Sequence, residues 1–294
     1  MVNDSEMIDV SIIIVNYNTK ELLENCIASI EKNTNSLSYE IIVSDNDSKD
    51  SSIEMLKQRF PKVKILDNKK NLGFGEGNNV AARIAKGRFL FLLNPDTILL
   101  NNAVYNLYKY ISGSDKIGIV GAQLYNKDLS LQQSYSYYLP SVRFGLLSIV
   151  RFPKLLEIIN KKRAKPASVA MVVGAALMIK KEIFDMFQFN NAFFLYDEET
   201  YLCYQVRKAG YKIISIPQAK IIHLDGGSFS SSENRIQRKQ EGKKIFLQLA
   251  YKPFHVKLVL LADKCLYISR IIGCFLARDK KKLELYKWFL KYSK

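Results

Sequence analysis

The sequence predicts an α/β protein built on a parallel sheet. Four short apolar runs rich in β-branched and aromatic residues recur at residues 10–15, 39–43, 63–66 and 88–93. Helical patterns lie between them, and each run closes in a polar cluster: Asn16, Asp45, Asn71 to Asn79, and Asn94 with Asp96. Strand and helix in strict alternation imply right-handed crossovers and parallel strands. Polar clusters at the ends of parallel strands gather on one edge of the sheet, where open α/β folds bind ligands.

The run Phe89-Leu90-Phe91-Leu92-Leu93 has the length and uniform apolarity of a strand buried on both faces. Pro95 cannot continue it, because proline lacks the N–H and fixes φ. The chain therefore leaves the sheet at Asn94-Pro95-Asp96-Thr97 and delivers Asn94 and Asp96 to the edge. An aspartate there can hold a divalent cation, and the cation a diphosphate; the same four residues also make an ordinary turn.

Taken in order, Val10 to Val15 is the first strand, and Thr19 caps a helix over about 20–31. Tyr39 to Val43 follows, and Asp50 or Ser51 caps a helix over about 51–59. A short strand covers 63–66. Residues 71–79 read as a flexible glycine loop that lets backbone approach a ligand, followed by a helix over 80–85. The glycines at 73, 75 and 77 are spaced GxGxG and follow the third strand, so they make no dinucleotide fingerprint. Residues 100–165 read as a helix, a strand at 117–120 ending in Gly121-Ala122, and a long irregular segment. That segment turns from Tyr and Ser at 134–138 to Lys and Arg at 151–165. It is either a loop over the site that meets a second substrate or a variable loop.

Residues 170–179 are apolar with small residues at their centre. Phe193 to Tyr196 runs into Asp197, Glu198 and Glu199, ahead of a helix over 201–209 with Gly210 as its C-cap. Acids at a helix N-terminus complement its dipole. Behind an aromatic run, one of them could equally be desolvated and suited to general-base work. Residues 211–217 and 219–222 are short strands. His223, at the end of the second, is open to metal ligation or to a polar core role.

The chain carries 44 Lys and Arg against 28 Asp and Glu, a net charge of +16. Residues 229–294 alone hold 16 basic and 5 acidic residues, which points to a basic appendage meeting something anionic, a membrane surface or a nucleic acid. Cys26, Cys203, Cys265 and Cys274 form no CxxC pair and read as reduced, buried or half-buried thiols. Two histidines are too few for a Cys/His zinc site. The polar, acidic N-terminus is no signal peptide, and no apolar run approaches the roughly 20 residues of a membrane span. A cytoplasmic location is expected.

At the C-terminus, helices over 233–251 and 254–277 break at Pro253. The second has an apolar face, from Leu258 to Phe275, with Lys257, Lys264, Arg270 and Arg278 on its flanks. Lys280 to Lys282, Leu285, Trp288, Phe289 and Leu290 follow. Apolar faces with basic flanks and a tryptophan suit a helix lying in an anionic membrane interface. The same faces would also suit packing on the rest of the chain or on a second copy, so a homodimer stays open.

Eight segments in order resemble the family-two glycosyltransferases of the GT-A fold, and most of all their rhamnosyltransferase-like branch. They are Ser-Ile-Ile-Ile-Val-Asn-Tyr-Asn (11–18), Ile-Val-Ser-Asp-Asn-Asp-Ser (42–48), Asn-Leu-Gly-Phe-Gly-Glu-Gly-Asn-Asn (71–79), Leu-Asn-Pro-Asp-Thr (93–97), Gly-Ala-Ala-Leu-Met-Ile (174–179), Phe-Phe-Leu-Tyr-Asp-Glu-Glu (193–199), Arg-Lys-Ala-Gly-Tyr (207–211) and Ile-His-Leu-Asp-Gly-Gly-Ser (222–228). The resemblance implies a catalytic domain over 1–230, with a nucleotide half to about 100 and an acceptor half from 101, and a helical region over 231–294. It implies an inverting hexosyl transfer from a nucleotide-diphosphate sugar, dTDP-rhamnose or a UDP-sugar being the first guess. The acceptor would be a hydroxyl of a glycan or lipid-linked molecule in cell-surface polysaccharide synthesis, with Mg2+ or Mn2+ as cofactor. The enzyme would sit at the inner face of the cell membrane.

By the same resemblance, Asn16, Tyr17, Asp45, Asn46, Gly73, Asn79, Asn94 and Asp96 bind the donor, with Asp45 on the base edge and Asn79 facing the sugar nucleotide. Asp96 and His223 hold the metal, Asn94 standing where the family's Asp-x-Asp motif has its first acid. Glu199 is the general base, with Glu198 the alternative. Tyr201 and Gln205 depart from the Asp and Arg usual in the family, and Glu199 from its Asp. They leave open a catalytically degenerate scaffold. The basic C-terminus leaves open a nucleic-acid binder, which the acidic sheet edge opposes, and the missing fingerprint argues against an NAD-dependent oxidoreductase.

Overall fold

The computed structural model describes residues 8–149, 165–224 and 232–292. The basic segment from Arg151 through Ala164 and the Asp225 to Ser228 part of the last motif lie outside them. The chain forms two compact units. One takes in the described residues up to Tyr137 and those from Lys165 to Gly242; the other takes in Tyr138 to Ile149 and the residues from Lys243 onward.

The first unit is a nine-stranded sheet between helices. Strands β1 (Val10–Asn16), β2 (Tyr39–Asp45), β3 (Lys64–Asp67) and β4 (Phe89–Leu93) lie parallel in the order β3-β2-β1-β4. Helices α1 (Lys20–Asn33), α2 (Ser52–Arg59) and α3 (Gly73–Ile84) connect them. Every residue of β4 is buried. Successive side chains point to opposite faces, so Phe89, Phe91 and Leu93 join one core layer with Ile12, Ile14 and Leu23, while Leu90 and Leu92 join the other with Ile13, Ile42 and Ala81. Two covered faces explain why these runs show no polar alternation.

The rest of the sheet mixes directions. After β5 (Thr97–Leu99) and helix α4 (Ala103–Ser112) comes β6 (Ile117–Tyr125). The tiny β7 (Tyr135–Ser136), β8 (Ala167–Val169) and β9 (Met171–Val172) precede β10 (Ala176–Lys180). Then come α6 (Lys181–Phe187), α7 (Glu198–Lys208) and β11 (Lys212–His223), α5 being Val142–Ile149 of the second unit. Strand β10 runs antiparallel between β4 and β6, β11 runs parallel to β6, and both β5 and β8 pair antiparallel with β11.

Several local expectations change. The glycine run is no loop: α3 starts at Gly73, where φ is +77° and Asn71 Oδ1 accepts the Gly73 N–H at 2.9 Å. A Cβ at Gly77 would stand 2.9 Å from Val15 Cγ1, so that glycine lets helix and strand approach closely instead of supplying flexibility. Thr19 is at the N-cap of α1 but turns its hydroxyl to Asn16 Oδ1 at 2.6 Å and caps nothing. Ser51 sits at the N-cap of α2 without a cap bond, and Asp50 Oδ1 accepts the Ser52 N–H at 3.1 Å. Strand β6 runs straight through Gly121 to Tyr125. The two strands expected at 211–222 are one, with a register shift between Ile216 and Lys220. Pro217 lies in that shift, where a missing N–H costs no ladder bond. Of the cysteines, Cys265 is exposed.

The second unit is helical: α5, the end of α8 (Ser232–Ala250), α9 (Pro253–Leu276) and α10 (Lys280–Tyr292). Pro253 opens α9 at a position where its missing N–H is harmless. Gly145 of α5 packs on Ala262, Arg270 donates to the Ser148 carbonyl at 2.6 Å, Lys243 pairs with Asp263 at 2.6 Å, and Tyr267 stacks on Phe289 at 5.4 Å. One face of α9 remains exposed, through Phe254, Leu261, Ile268, Ile272, Phe275 and Leu276. Among the described residues no helix is long and apolar enough to cross a membrane.

Candidate active site

The ends of β1, β2 and β3 are level, Asn16 beside Asp45 and Asp45 beside Asp67. Beyond them opens a cleft of about 410 Å³, lined among others by Tyr17, Asn18, Asn46, Asn71, Gly73, Asn94, Asp96 and Arg238. Tyr17 is 46% exposed and Asn46 is buried. The Asn46 amide donates to the Gly73 carbonyl at 3.0 Å and accepts from Asn68 at 2.9 Å, tying three loops together.

Three expected donor ligands lie beneath this lining. Asn16 and Asp45 are wholly buried: Asn16 Nδ2 donates to Asp45 Oδ2 at 2.7 Å, and Asp45 Oδ1 accepts the Ser48 N–H at 2.8 Å. Asp45 therefore shapes the loop after β2, with each carboxylate oxygen already accepting one bond. Asn79, expected to face the donor, instead clasps the Phe189 backbone, donating to its carbonyl and accepting its N–H, each at 3.0 Å. Its assignment came from the resemblance of the segment 71–79, which says nothing about which side of the helix the residue occupies.

Asp96 and His223 come together. β5 pairs antiparallel with the end of β11, setting Thr97 opposite His223, and the Leu224 N–H donates to the Asp96 carbonyl at 2.9 Å. His223 Nε2 then lies 3.4 Å from Asp96 Oδ1 and 3.4 Å from Asn94 Nδ2. Gln132, unremarked in the sequence, meets His223 Nδ1 at 2.9 Å. Among the described residues there is no group of three or more His, Cys, Asp or Glu able to hold a metal. A cation at Asp96 and His223 would have to complete its shell with water or ligand oxygens. The carboxylate oxygen suits Mn2+ or Mg2+ in that role, and of the two the softer Mn2+ accepts the imidazole nitrogen more readily.

The second acidic feature is of another kind. Tyr196 and Asp197 both have left-handed backbone, at φ +75° and +66°. Such residues cost of order 1–3 kcal/mol each and cluster at functional sites. They turn the chain so that α7 begins at Glu198, three residues earlier than its apolar pattern suggests. Glu198 is 3% exposed and its Oε2 has no partner among the described residues. Burial first, then the neighbouring Glu199 charge, pushes the Glu198 carboxyl well above the ordinary value. Burial and the Asp197 charge raise Glu199 to about 7, opposed by N–H groups including that of Gly174 and by Lys239. A methyl added at Gly174 would rest 3.4–3.6 Å from the Glu199 side chain. Tyr201, which replaces an expected acid, stacks on Tyr204 at 6.0 Å and approaches Phe193 at 5.9 Å. The Gln205 Oε1 is buried without a partner among the described residues.

The start of α8 belongs to this unit, though its basic composition suggested a separate appendage. Arg238 lies over the Phe194 ring at 5.5 Å and lines the cleft; Lys239 lies over the Tyr196 ring at 5.3 Å. Gly242 fits against the Tyr196 carbonyl, where a Cβ would collide. Arg238 is thus a cleft residue that sequence reading missed. No local motif marks it, because the helix reaches the cleft by tertiary packing.

Residues 11–187 match the family described as Glycosyl transferase family 2. The chain is 27% identical over 196 residues to the glycosyltransferase GlyG of Streptococcus pneumoniae, a match spanning 65% of this chain and 63% of GlyG. It is 23% identical over 230 residues to the N-acetylglucosaminyl-diphospho-decaprenol L-rhamnosyltransferase of Mycobacterium tuberculosis, covering 72% of this chain and 75% of that one. In fold it is similar to the mannosyltransferase PcManGT from Pyrobaculum calidifontis, solved with GDP-Man and Mn2+, at a TM-score of 0.64 and 15% identity over 98% of this chain and 85% of that one. The architecture is the GT-A fold expected from the sequence, and the chain belongs to glycosyl transferase family 2.

Proposed function

We propose that this glycosyltransferase moves a sugar from a nucleotide-diphosphate donor to an acceptor hydroxyl in one inverting displacement. One observation carries the reading: Asp96 and His223 meet at 3.4 Å beside a cleft in which Asp96 and Arg238 are the charged residues of the lining among the described residues. Asp96 and His223 would hold a divalent cation, Mn2+ or Mg2+, which when bound supplies positive charge to the donor diphosphate. Arg238 adds a second cation on the cleft wall for the departing phosphate oxygens. Tyr17, with its ring half exposed, offers a stacking face for the base.

Glu199 takes the proton from the attacking hydroxyl. A carboxylate raised to about 7 is a competent base near neutral pH, where the pKa of a general base is best placed. Burial and the neighbouring Glu199 charge push the Glu198 carboxyl well above the ordinary value, which disfavours a second negative charge beside the base. Attack from the face opposite the leaving diphosphate inverts the anomeric centre, and no covalent intermediate is needed.

The donor reading remains a UDP- or dTDP-sugar, with dTDP-rhamnose tried first, and the acceptor a glycan or lipid-linked hydroxyl. The exposed stripe Phe254, Leu261, Ile268, Ile272, Phe275 and Leu276, with Lys257 and Lys280 nearby, supports peripheral attachment to an anionic membrane.

The deciding experiment is a thermal-shift screen of UDP, dTDP and GDP, each with and without Mn2+, since a ligand that binds only the folded state raises its apparent stability. Stabilisation by UDP or dTDP only when Mn2+ is present is the expected result. Stabilisation by GDP alone would overturn the donor assignment, and equal shifts in EDTA would overturn the cation.

A further inference from the structure

His223 has two ring nitrogens, and only one faces Asp96 and Asn94. Nε2 can bind a cation only through an unprotonated lone pair, so in the neutral ring the proton must sit on Nδ1. Nδ1 is where Gln132 meets the ring. The contact is to the amide oxygen, Oε1, at 2.9 Å. The other end of the same amide settles its orientation: Gln132 Nε2 donates to the His223 backbone carbonyl at 3.4 Å. With its nitrogen committed there, Gln132 offers the ring an acceptor only. The Asn94 side-chain amide stands 3.4 Å from Nε2.

The backbone of Gln132 is itself fixed. A bridge between Tyr125 and Leu131 closes a turn in which the Asn126 N–H donates to the Ser130 carbonyl at 2.8 Å. The Gln132 N–H donates to the Leu124 carbonyl at 3.0 Å, and its own carbonyl accepts Gln123 Nε2 at 3.3 Å. The returning arm of the hairpin lies along the end of β6, and β6 pairs with β11 up to Ile222, so β6 links the segment that carries the amide to the strand that carries the ring.

We infer that Gln132 is a positioning residue that holds His223 as its Nδ1–H tautomer and turns the Nε2 lone pair toward Asp96, where the donor's cation would bind. The inference rests on the cation reading proposed above. Partners of this kind fix ring orientation and raise ligand basicity, and losing one typically costs 10–100-fold in metal affinity.

The test reads the tautomer and the metal separately. Nitrogen-15 NMR of metal-free protein, at a pH where imidazole is neutral, has only two histidines to assign, and His255→Gln identifies which signals are His223. The wild type should carry its proton on Nδ1. In Gln132→Leu the proton should move to Nε2, which can then donate to Asp96, and Mn2+ affinity read from free Mn2+ by EPR should fall roughly 10–100-fold. Gln132→Glu keeps the acceptor and should restore both. A wild-type ring protonated on Nε2 would overturn the inference without recourse to any variant, as would unchanged tautomer and Mn2+ affinity in a folded Gln132→Leu. An Nδ1–H ring in a protein that binds no Mn2+, even with UDP or GDP present, would overturn the cation reading and leave the hold of Gln132 on the ring intact.

Discussion

Asp96 and Glu199 are both carboxylates on the same unit, and their surroundings assign them opposite chemistry. Asp96 ends a strand run at the cleft, beside an imidazole and an amide, and its side chain keeps some solvent contact. Glu199 lies in the first turn of a helix among aromatic residues, with two more acids adjoining it and Lys239 a nearby cation. The first setting suits an anion that shares its charge with a bound cation. The second makes a negative charge expensive, because burial and like charges both favour the proton. Residue type alone would not separate the two; the neighbours do.

Removing either carboxylate should therefore damage the enzyme in different ways. The largest effect is expected for Glu199→Gln, which should lower turnover by roughly 10²–10⁴-fold, the usual contribution of a general base. Donor affinity, measured by calorimetry with UDP and Mn2+, should be unchanged. If Glu198→Gln gives that pattern and Glu199→Gln does not, the base is its neighbour. Asp96→Ala should abolish Mn2+ dependence and weaken donor binding together; retained Mn2+ affinity would show that the two acids do not divide the work as proposed.

A smaller effect concerns stability. The folded protein holds the Glu199 proton more tightly than the unfolded chain does, so folding binds protons between the ordinary value of 4.5 and about 7. Stability from this group therefore falls as pH rises through that window and is level above it. Glu199→Gln has no such proton to lose. Its melting temperature relative to the wild type should rise from pH 4.5 to 7, and a parallel pair of curves would mean that Glu199 is not desolvated. The same titration should give kcat/KM an acidic limb near pH 7.

The smallest effect is expected at the cleft wall. Arg238→Ala should raise the KM for the donor by about tenfold or less, in the range of one ordinary hydrogen bond. It should leave Mn2+ affinity alone. Salt should weaken co-sedimentation with anionic liposomes, since each Lys or Arg near such a surface contributes about 1 kcal/mol and is screened. Equal recovery with neutral liposomes would leave α9 to packing.

The parallel half of the fold was legible because its central strands are covered on both faces. Unbroken runs such as Phe89 to Leu93 have few other places to go, and Pro95 marks where they stop. For the same reason the sequence determined that Asn94 and Asp96 reach the sheet edge. It also determined that acids crowd a helix start at residues 197–199.

Tertiary structure decided which of those groups meet. The antiparallel pairing of β5 with β11 joins residues 96 and 223, a contact between strands far apart in the chain that no local period encodes. It also turned Asp45 and Asn79 inward to satisfy buried backbone and side-chain groups, since a buried polar group left unpaired would be costly. Packing on the Tyr196 turn brought Arg238 of a helix read as an appendage to the cleft. Composition and periodicity report which residues avoid water and on which face. They do not report which partner a polar side chain finds once the backbone has closed around it, and the chemistry of this site depends on those partners.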